Sequence, residues 1–358
     1  MKIAIIGAGI TGLACALECE RLGAAADVFE RDRSIGWIWP SVNFWPHGFY
    51  RDTGDIRTRM KNEYGIDIKP LNECKKIIVK SKNRGMVLEG DQGYFIARGK
   101  STESLENQLL LELKKTAIHF NTSADYKELS GKYDWVVVAG GDDKVGRELG
   151  VWQDEGAVHI IGGIALGKFD TDTSNIFFNT EYAGTGYARV TPFSENQAII
   201  KLYIIGRGEC DREMLFKRFL QQENLRHLEF LYYIMPPLFV TGRVSKFKEG
   251  NILLAGRAAG LTERLLGVAA PEDIASGIFA ARSIIQGQNY ENLIRPLQEH
   301  VETLSSIRKF IDGLDNDGFD KLIATMDLPG LKQLIYQTPI NFMQLFGHVM
   351  ERFSEKGR

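Results

Sequence analysis

The chain has 358 residues, with 44 lysines and arginines against 46 aspartates and glutamates, and its formal net charge is −2. This length predicts about two domains, each large enough to bury a core without disulfides or a structural metal. Because the charges nearly balance and no basic block or nucleic-acid module occurs, nucleic acid is not expected as a partner. The 44% hydrophobic and 25% charged content is typical of a globular protein, not of a disordered or multi-span membrane protein.

The four cysteines form no Cys-x-x-Cys pair, and their scattered spacing predicts reduced thiols in a cytoplasmic protein, with neither a disulfide framework nor a zinc or other metal site. Glycines interrupt the apolar run of residues 3–17, so a signal peptide is not expected. No other stretch approaches the roughly 18 apolar residues of a membrane-spanning helix. Any membrane contact is therefore expected to be peripheral.

The N-terminus carries a glycine fingerprint between a strand and a helix. Residues 3–6 form an apolar run typical of a strand buried in a parallel sheet, and Gly7-x-Gly9-x-x-Gly12 follows directly. Gly7 permits the tight turn, Gly9 lets a pyrophosphate approach the backbone, and Gly12 lets the helix pack on the strand. The helix N-terminus, with Ile10 and Thr11 in its first turn, would then face the phosphates.

An acidic residue ends the second predicted strand. Glu30 lies 18 residues after Gly12, where a carboxylate can accept hydrogen bonds from the ribose hydroxyls of an adenosine, and Arg31 follows it. The combination predicts a dinucleotide-binding unit. The alternative is a tight strand-to-helix turn that binds no ligand.

The order of the later segments favours FAD over NAD. A long insertion, residues 34–95, follows the second strand, and Arg98 comes after it. Ser101 and Thr102 are candidate caps of the next helix. Further strands are expected at residues 118–121 and 135–139. A buried strand then leads into the small-residue turn Gly256-Arg257-Ala258-Ala259-Gly260, and a helix with small residues follows over 274–285.

With these motifs in order, residues 1 to about 300 resemble the FAD-dependent family of geranylgeranyl reductases and para-hydroxybenzoate-hydroxylase-type monooxygenases. In the reductase branch a Tyr-x-Trp-x-Phe-Pro strand lines the site, and residues 187–192, Tyr-Ala-Arg-Val-Thr-Pro, resemble it with Trp and Phe replaced. The resemblance implies FAD as cofactor, NAD(P)H as a candidate electron donor, and cofactor contacts from the motif residues, which are Gly7, Gly9, Ile10, Thr11, Gly12, Glu30, Arg31, Arg98, Gly140, Gly256, Arg257, Gly267, Val268 and Ala269.

The chain departs from the family at the flavin end. Arg257 stands where the family has an aspartate that contacts the ribityl chain, so we expect it either to bind an anion or to point away. Gly140-Gly141 replaces an Asp-Gly motif, with two aspartates directly after it. Of a glycine triplet expected beside the isoalloxazine only Gly267 remains, and Val268 and Ala269 would crowd a nearby ring. No Cys-Gly-Gly segment of the geranylgeranyl reductases occurs.

We expect an α/β fold with three parts. A discontinuous Rossmann-like FAD-binding domain comprises residues 1–75, 93–160 and 245–290. An inserted, mainly antiparallel β substrate domain comprises residues 76–92 and 161–244, with a helix over 211–233. A helical tail comprises residues 291–358.

Aromatic residues concentrate after the second strand, with tryptophans at 37, 39 and 45, and the family brings this segment close to the flavin. The alternative is a loop held by aromatic burial or an interface patch. An apolar small-molecule substrate is implied, and the candidate contacts are Trp45, His47, Tyr187 and Arg189. For His47, a structural hydrogen-bonded role is favoured over general acid chemistry.

The tail ends in an amphipathic segment, residues 340–353, interpreted as a packed or partner-facing helix. A weak peripheral membrane anchor is the alternative. The sequence does not indicate an oligomeric state.

Three functions are compatible with these observations. The first is an FAD-dependent oxidoreductase that acts on an apolar small molecule and reduces an isoprenoid or other alkene double bond. The second is an aromatic monooxygenase that uses NAD(P)H and oxygen. The third is a relative that binds nucleotide or lipid without redox turnover.

Overall fold

The computed structural model describes residues 1–36, 38–50 and 54–337, and the side chains of residues 334–337 lie outside the description. Trp37 and the amphipathic segment of residues 340–353 fall outside the described residues. Among those described, no helix is both long enough and apolar enough to cross a bilayer.

A six-stranded sheet forms the first layer, in the order β14, β15, β7, β1, β2 and β6. All its pairings are parallel except that of β14 with β15. Its strands are β1 (Ile3–Ile6), β2 (Ala26–Phe29), β6 (Ala117–His119), β7 (Trp135–Val138), β14 (Lys248–Glu249) and β15 (Ile252–Leu254). This is the expected Rossmann-like sheet, and its central strands β1, β7 and β15 are largely buried apolar runs.

The second layer is a curled sheet in the order β12, β8, β11, β10, β9, β4, β5 and β3, with β13 paired to the first half of β8. It is antiparallel except between β4 and β9. Its strands are β3 (Ser41–Pro46), β4 (Asn72–Lys80), β5 (Gly85–Arg98), β8 (Trp152–Leu166), β9 (Thr173–Phe177), β10 (Tyr187–Ser194), β11 (Gln197–Ile204), β12 (Glu229–Ile234) and β13 (Phe239–Val244).

The helices flank the two sheets and form the C-terminal part of the described chain. They are α1 (Ile10–Arg21), α2 (Ile56–Tyr64), α3 (Leu105–Glu112), α4 (Tyr126–Ser130), α5 (Lys144–Glu148), α6 (Thr180–Ala183), α7 (Arg212–Gln222), α8 (Ala270–Gln286), α9 (Tyr290–Ile311), α10 (Asn316–Met326) and α11 (Pro329–Gln337). The α/β architecture predicted from the sequence is confirmed.

Close packing of α1 against α8 positions the glycine loop. A Cβ added at Gly277 on α8 would lie 2.2 Å from the Thr11 carbonyl oxygen, so only glycine permits this approach. The N-termini of the two helices are thereby brought to the carboxyl ends of the parallel strands. In open α/β sheets this edge is where ligands bind.

Several local predictions differ from the structure. The helix expected over 211–233 ends at Gln222, and residues 229–234 form β12, because aromatic and β-branched side chains there pair with β8. Helix α3 is capped by the Ser104 hydroxyl, which accepts from the Asn107 amide, and not by Ser101 or Thr102. The predicted domain boundaries at 93 and 161 fall inside the long strands β5 and β8.

Candidate functional site

The glycine loop leaves an open surface at the N-terminus of α1. Gly7 has a φ of +102°, and a Cβ at Gly12 would lie 1.9 Å from the Gly7 carbonyl oxygen, so both positions require glycine. A Cβ at Gly9, by contrast, would have no atom within 4 Å. The loop is therefore tightly packed underneath and open at Gly9, where the helix N-terminus can receive phosphate.

Glu30 lies beside this loop, at the end of β2. Its carboxylate accepts hydrogen bonds from the amides of Ala8, at 2.8 Å, and Asp32, at 2.9 Å. Each oxygen keeps a lone pair for a hydroxyl group. Arg31 is exposed and lies 3.9 Å from the carboxylate of Asp142. Glu30 is thus placed as the sequence predicts, whereas Arg31 is only loosely held.

The Arg98 side chain is fixed by a buried carboxylate that sequence analysis did not identify. Glu106 accepts from Arg98 Nε at 2.9 Å and from the Gly99 amide at 3.3 Å. Glu106 is 1% exposed, whereas 22% of the Arg98 side chain is exposed. Because one side of the guanidinium is bonded to Glu106, the rest of the group is available to an anion.

In the turn after β15, the Arg257 side chain packs against an aromatic ring and does not extend towards an anion site. Its guanidinium lies 3.7 Å from the ring centroid of Phe239, a cation–π contact. Burial lowers the pKa of Arg257, while nearby Asp273 and Asp142 oppose that effect. Of the two expectations for Arg257, the structure supports the one in which it turns aside.

Asp273, in the first turn of α8, places a carboxylate next to the turn that follows β15. A Cβ at Gly256 would lie 2.7 Å from Asp273 Oδ1 and 2.2 Å from the Thr11 hydroxyl. Asp273 Oδ1 is buried and makes no hydrogen bond of good geometry among the described residues, although the Thr11 hydroxyl approaches the carboxylate. Burial raises the pKa of Asp273 to about 6, although Arg98, Thr11 and Arg257 lower it. Sequence analysis missed this residue because no family motif includes it.

The predicted isoalloxazine segment, Gly267 to Ala269, is organised by another buried acid. The Glu263 carboxylate accepts from the amides of Leu265, Leu266 and Val268, at 2.5 to 3.1 Å. Burial raises the pKa of Glu263 to about 7. The Val268 side chain packs into the core, so it does not crowd the open side of the loop as the sequence suggested.

Gly267 and Ala269 remain accessible on this loop. Gly267 has a φ of +71°, and a Cβ there would meet no atom within 4 Å. Ala269 is partly exposed and immediately precedes α8. Gly140, after β7, is similarly open to an added Cβ. These three positions can border a ligand at the carboxyl edge of the parallel sheet.

Another buried acid, Glu272, belongs to a cluster with Tyr50 and His300. The Tyr50 hydroxyl lies 3.1 Å from the Glu272 carboxylate, and the Tyr50 and His300 rings stack at 5.2 Å. His300 Nε2 lies 3.7 Å from the same carboxylate. Burial raises the pKa of Glu272 to about 8. The start of α8 therefore gathers ionisable groups within a short distance of the glycine loop.

The first two substrate candidates are placed away from a cavity wall. Trp45 is completely buried in the core beneath the first sheet. His47 lies between two carboxylates, with Nε2 3.1 Å from Asp91 and Nδ1 3.8 Å from Asp55. The structural role favoured for His47 agrees with these contacts, and the placement gives Trp45 no surface for a substrate.

The other two candidates lie on the inner face of the second sheet. The Tyr187 hydroxyl donates to the Leu266 carbonyl at 2.6 Å, which joins β10 to the Glu263 loop. Arg189 is 7% exposed and donates to the Val42 carbonyl at 3.3 Å. This face of β10 therefore lies against the predicted flavin region.

A separate surface depression of about 560 Å³ is lined by residues 80–85, Asn179, Gln222 and Glu223. It contains no residue of the glycine loop or of the first turn of α8. Because backbone amides, cations and carboxylates converge at the sheet edge instead, we assign the candidate site to that edge.

Comparison with known proteins addresses the family and the fold. Residues 2–126 match a family model described as FAD dependent oxidoreductase. Over these residues, about a third of the chain, the sequence is similar to that family. The match contains the glycine loop, Glu30 and Arg98, so the family and cofactor expected from the sequence are confirmed at that level.

Solved structures extend the similarity to the whole fold. A geranylgeranyl bacteriochlorophyll reductase-like protein from Thermoplasma acidophilum has a TM-score of 0.75 at 14% identity, over 97% of this chain and 95% of that protein. The flavin-dependent brominase Bmp2 has a TM-score of 0.68 at 12% identity, over 99% and 100%. Aklavinone-11 hydroxylase, solved with FAD and aklavinone, has a TM-score of 0.61 at 16% identity, over 90% and 70%. No curated protein matches the chain in sequence.

Proposed function

We propose that the chain is an FAD-dependent oxidoreductase that acts on an apolar small molecule and reduces a carbon–carbon double bond. The observation that carries the proposal is the buried, unpartnered Asp273 oxygen beside Gly256 and the open glycine loop. A buried carboxylate oxygen without a donor is unfavourable unless a ligand supplies one. The ribityl hydroxyls of FAD are donors suited to that position.

The described residues fit the adenosine and pyrophosphate end of FAD. Gly9 and the N-terminus of α1 would hold the pyrophosphate, Glu30 the ribose hydroxyls, and Arg98 a phosphate or another anionic edge. Bound FAD supplies the hydride chemistry, while the protein binds, orients and shields it. NAD(P)H is the proposed electron donor.

The reductase proposal is supported by the high fold similarity to the geranylgeranyl reductase-like protein and by the Tyr187 strand. The oxygen-dependent alternative, an aromatic monooxygenase, is supported by the fold it shares with aklavinone-11 hydroxylase. These two proposals predict different responses of the reduced protein to oxygen.

One observation favours a redox-inactive relative as a second candidate. Glu263 occupies three backbone amides of the loop that is expected to border the isoalloxazine. Amides bonded to a carboxylate cannot also stabilise negative charge on a ring. In this alternative the chain keeps nucleotide affinity and has little redox turnover.

The test begins with the absorbance spectrum of the purified chain after incubation with FAD and gel filtration. We expect one FAD per chain, bleached anaerobically by dithionite and by NADH or NADPH. Failure to retain FAD would refute the proposal, and retention without reduction by either nicotinamide would favour the redox-inactive candidate. Stopped-flow mixing of the reduced protein with oxygen then distinguishes the enzymes, because substrate-dependent transients and hydroxylated product support the monooxygenase. Anaerobic reoxidation by an alkene supports the reductase.

A further inference from the structure

Two cations face each other on the inner face of the second sheet. In the antiparallel pairing of β10 with β11, Arg189 lies directly opposite Lys201. The neighbouring pairs on the same face are Tyr187 with Tyr203, and Thr191 with Ile199. The alternate residues of both strands point into the core covered by α7, so this face is the one turned towards the flavin region.

The pair has no compensating carboxylate among the described residues. Arg189 donates to the Val42 carbonyl, and Lys201 donates to the Ser41 hydroxyl at 2.6 Å. Like charges directly opposite each other in a sheet are destabilising, and buried cations are normally paired. Burial lowers the pKa of Lys201, and Arg189 and Arg98 lower it further, while Tyr203 raises it.

A neighbouring hydroxyl is a second polar group without a partner on this face. Thr191 is fully buried, and its hydroxyl has no hydrogen-bond partner in the part of the chain that is described. Arg189 and Thr191 stand where the resembling reductase strand has Trp and Phe. The chain thus has a cation and a hydroxyl where an entirely apolar substrate would favour aromatic side chains.

The position of the pair connects it to the proposed active site. Tyr187, on the same strand face, bonds to Leu266 in the Glu263 loop. Ser41, which accepts a hydrogen bond from Lys201, pairs with Arg98 across β3 and β5. The Lys201 side of the pair therefore approaches a proposed cofactor residue. Apolar side chains cover the rest of this face, among them Val42, Phe44, Phe95 and Ile199.

We propose that Arg189 and Lys201 bind an oxyanion, a carboxylate or a phosphate monoester, carried by the otherwise apolar substrate. This inference rests on the proposed function, because it names the substrate class of the same site. An oxyanion would accept hydrogen bonds from both cations and remove their mutual repulsion. Partly exposed side chains that border the apolar cluster, Tyr203 and Leu266 among them, would take the body of the substrate, so the anion fixes which part faces the flavin.

The experiment measures binding of three eight-carbon probes to the full chain loaded with FAD. The probes are octanoate, octyl phosphate and 1-octanol, and binding is followed by isothermal titration calorimetry. We expect at least one anionic probe to bind about tenfold to a hundredfold more tightly than octanol, as charge-assisted hydrogen bonds would give. Comparison of the two anions, with inorganic phosphate as a tailless probe, distinguishes a carboxylate from a phosphate ligand.

Variants test whether the two cations cause the preference. Arg189→Gln and Lys201→Met should each reduce the affinity for the anionic probe about tenfold or more, with little effect on octanol. Arg189→Lys keeps the charge and should restore much of the binding. The matched control is Lys76→Met, which removes a 40% exposed lysine from strand β4 and should bind like the parent. Far-UV circular dichroism and Tm show whether each variant is folded. If Arg189→Gln does not fold, anion binding by Arg189→Lys still tests the proposal.

Each result bears on the proposal. Equal affinity for octanol and both anions, no binding of either anion, or anion binding unchanged in the folded variants would overturn it. If the Arg189 or Lys201 variants lose FAD while their anion binding is unchanged, the proposal is also overturned, because the cations would then serve the cofactor. The FAD content is measured separately. A chain that lacks FAD but still discriminates in favour of the anion would refute the proposed function and leave the oxyanion site intact.

Discussion

Replacement of Asp273 by asparagine should increase the unfolding free energy of the FAD-free protein and weaken the binding of FAD. The substitution keeps the shape of the side chain and removes its charge. Asp273 Oδ1 is buried and makes no hydrogen bond of good geometry among the described residues, and desolvation raises the pKa of the carboxyl group from the usual 3.8 to about 6. A group in this condition is destabilising in the ligand-free protein and is retained when a ligand needs it.

The expected gain in stability follows from the pKa. A difference of one pH unit between folded and unfolded pKa corresponds to about 1.4 kcal/mol, so the ionised Asp273 destabilises the fold by roughly 3 kcal/mol. Because the folded state holds the proton more tightly, the unfolding free energy falls as pH rises from about 4 to about 6 and stays lower above that. Asp273→Asn should therefore exceed the parent in stability at pH 8 and match it near pH 3.5.

Binding should change in the opposite direction. A hydrogen bond to a charged group contributes about 1.5–3 kcal/mol, so loss of the charge should weaken FAD binding about tenfold to a hundredfold. Urea unfolding of the FAD-free protein and fluorescence titration with FAD measure the two quantities on the same preparations. A destabilised variant, or one that binds FAD as tightly as the parent, would refute the assignment of Asp273 to the ribityl chain.

Two other substitutions give distinct expectations. Gly9→Val should abolish FAD retention while leaving the Tm of the FAD-free chain unchanged, because an added Cβ meets no protein atom within 4 Å; a fall in Tm, or retained FAD, would contradict the open pyrophosphate site. Glu272→Gln should raise the Tm more at pH 8 than at pH 5, since burial raises the pKa of Glu272 to about 8 and its ionisation is destabilising in that range. The Tyr50 hydroxyl can still donate to the new amide oxygen, and an equal effect at both pH values would show that the carboxyl ionises without a penalty.

The glycine loop and the place of Glu30 at the end of β2 can be predicted from the sequence because backbone geometry determines them. Gly7 and Gly12 are required by a positive φ and by a 1.9 Å approach, and such requirements leave a readable pattern of glycines. Glu30 follows at the distance set by one helix and one strand. The expected antiparallel sheet is likewise present, and α7 covers one face of its strands β10 and β11.

The remainder of the site depends on contacts between distant segments, which spacing does not reveal. Asp273 reaches Gly256 only because α8 packs against the turn after β15. The opposition of Arg189 and Lys201 depends on the exact register of two strands, and a shift of one residue would separate them. The helix predicted over 211–233 runs past Gln222 because the apolar residues of β12 also fit a helical period.

Arg257 and Asp273 are best understood together, and a charge exchange tests this interpretation. An aspartate at 257 would add a second carboxylate to a buried region that already holds Asp273, whereas Arg257 instead lowers the pKa of Asp273. Arg257→Asp alone should therefore reduce both Tm and FAD affinity. The double variant Arg257→Asp with Asp273→Asn moves the carboxylate to the family's position and should recover FAD affinity about tenfold over Arg257→Asp. If the double variant binds FAD no better than Arg257→Asp, the two positions are not interchangeable sources of the same carboxylate, and the assignment of Asp273 to the ribityl chain loses its support.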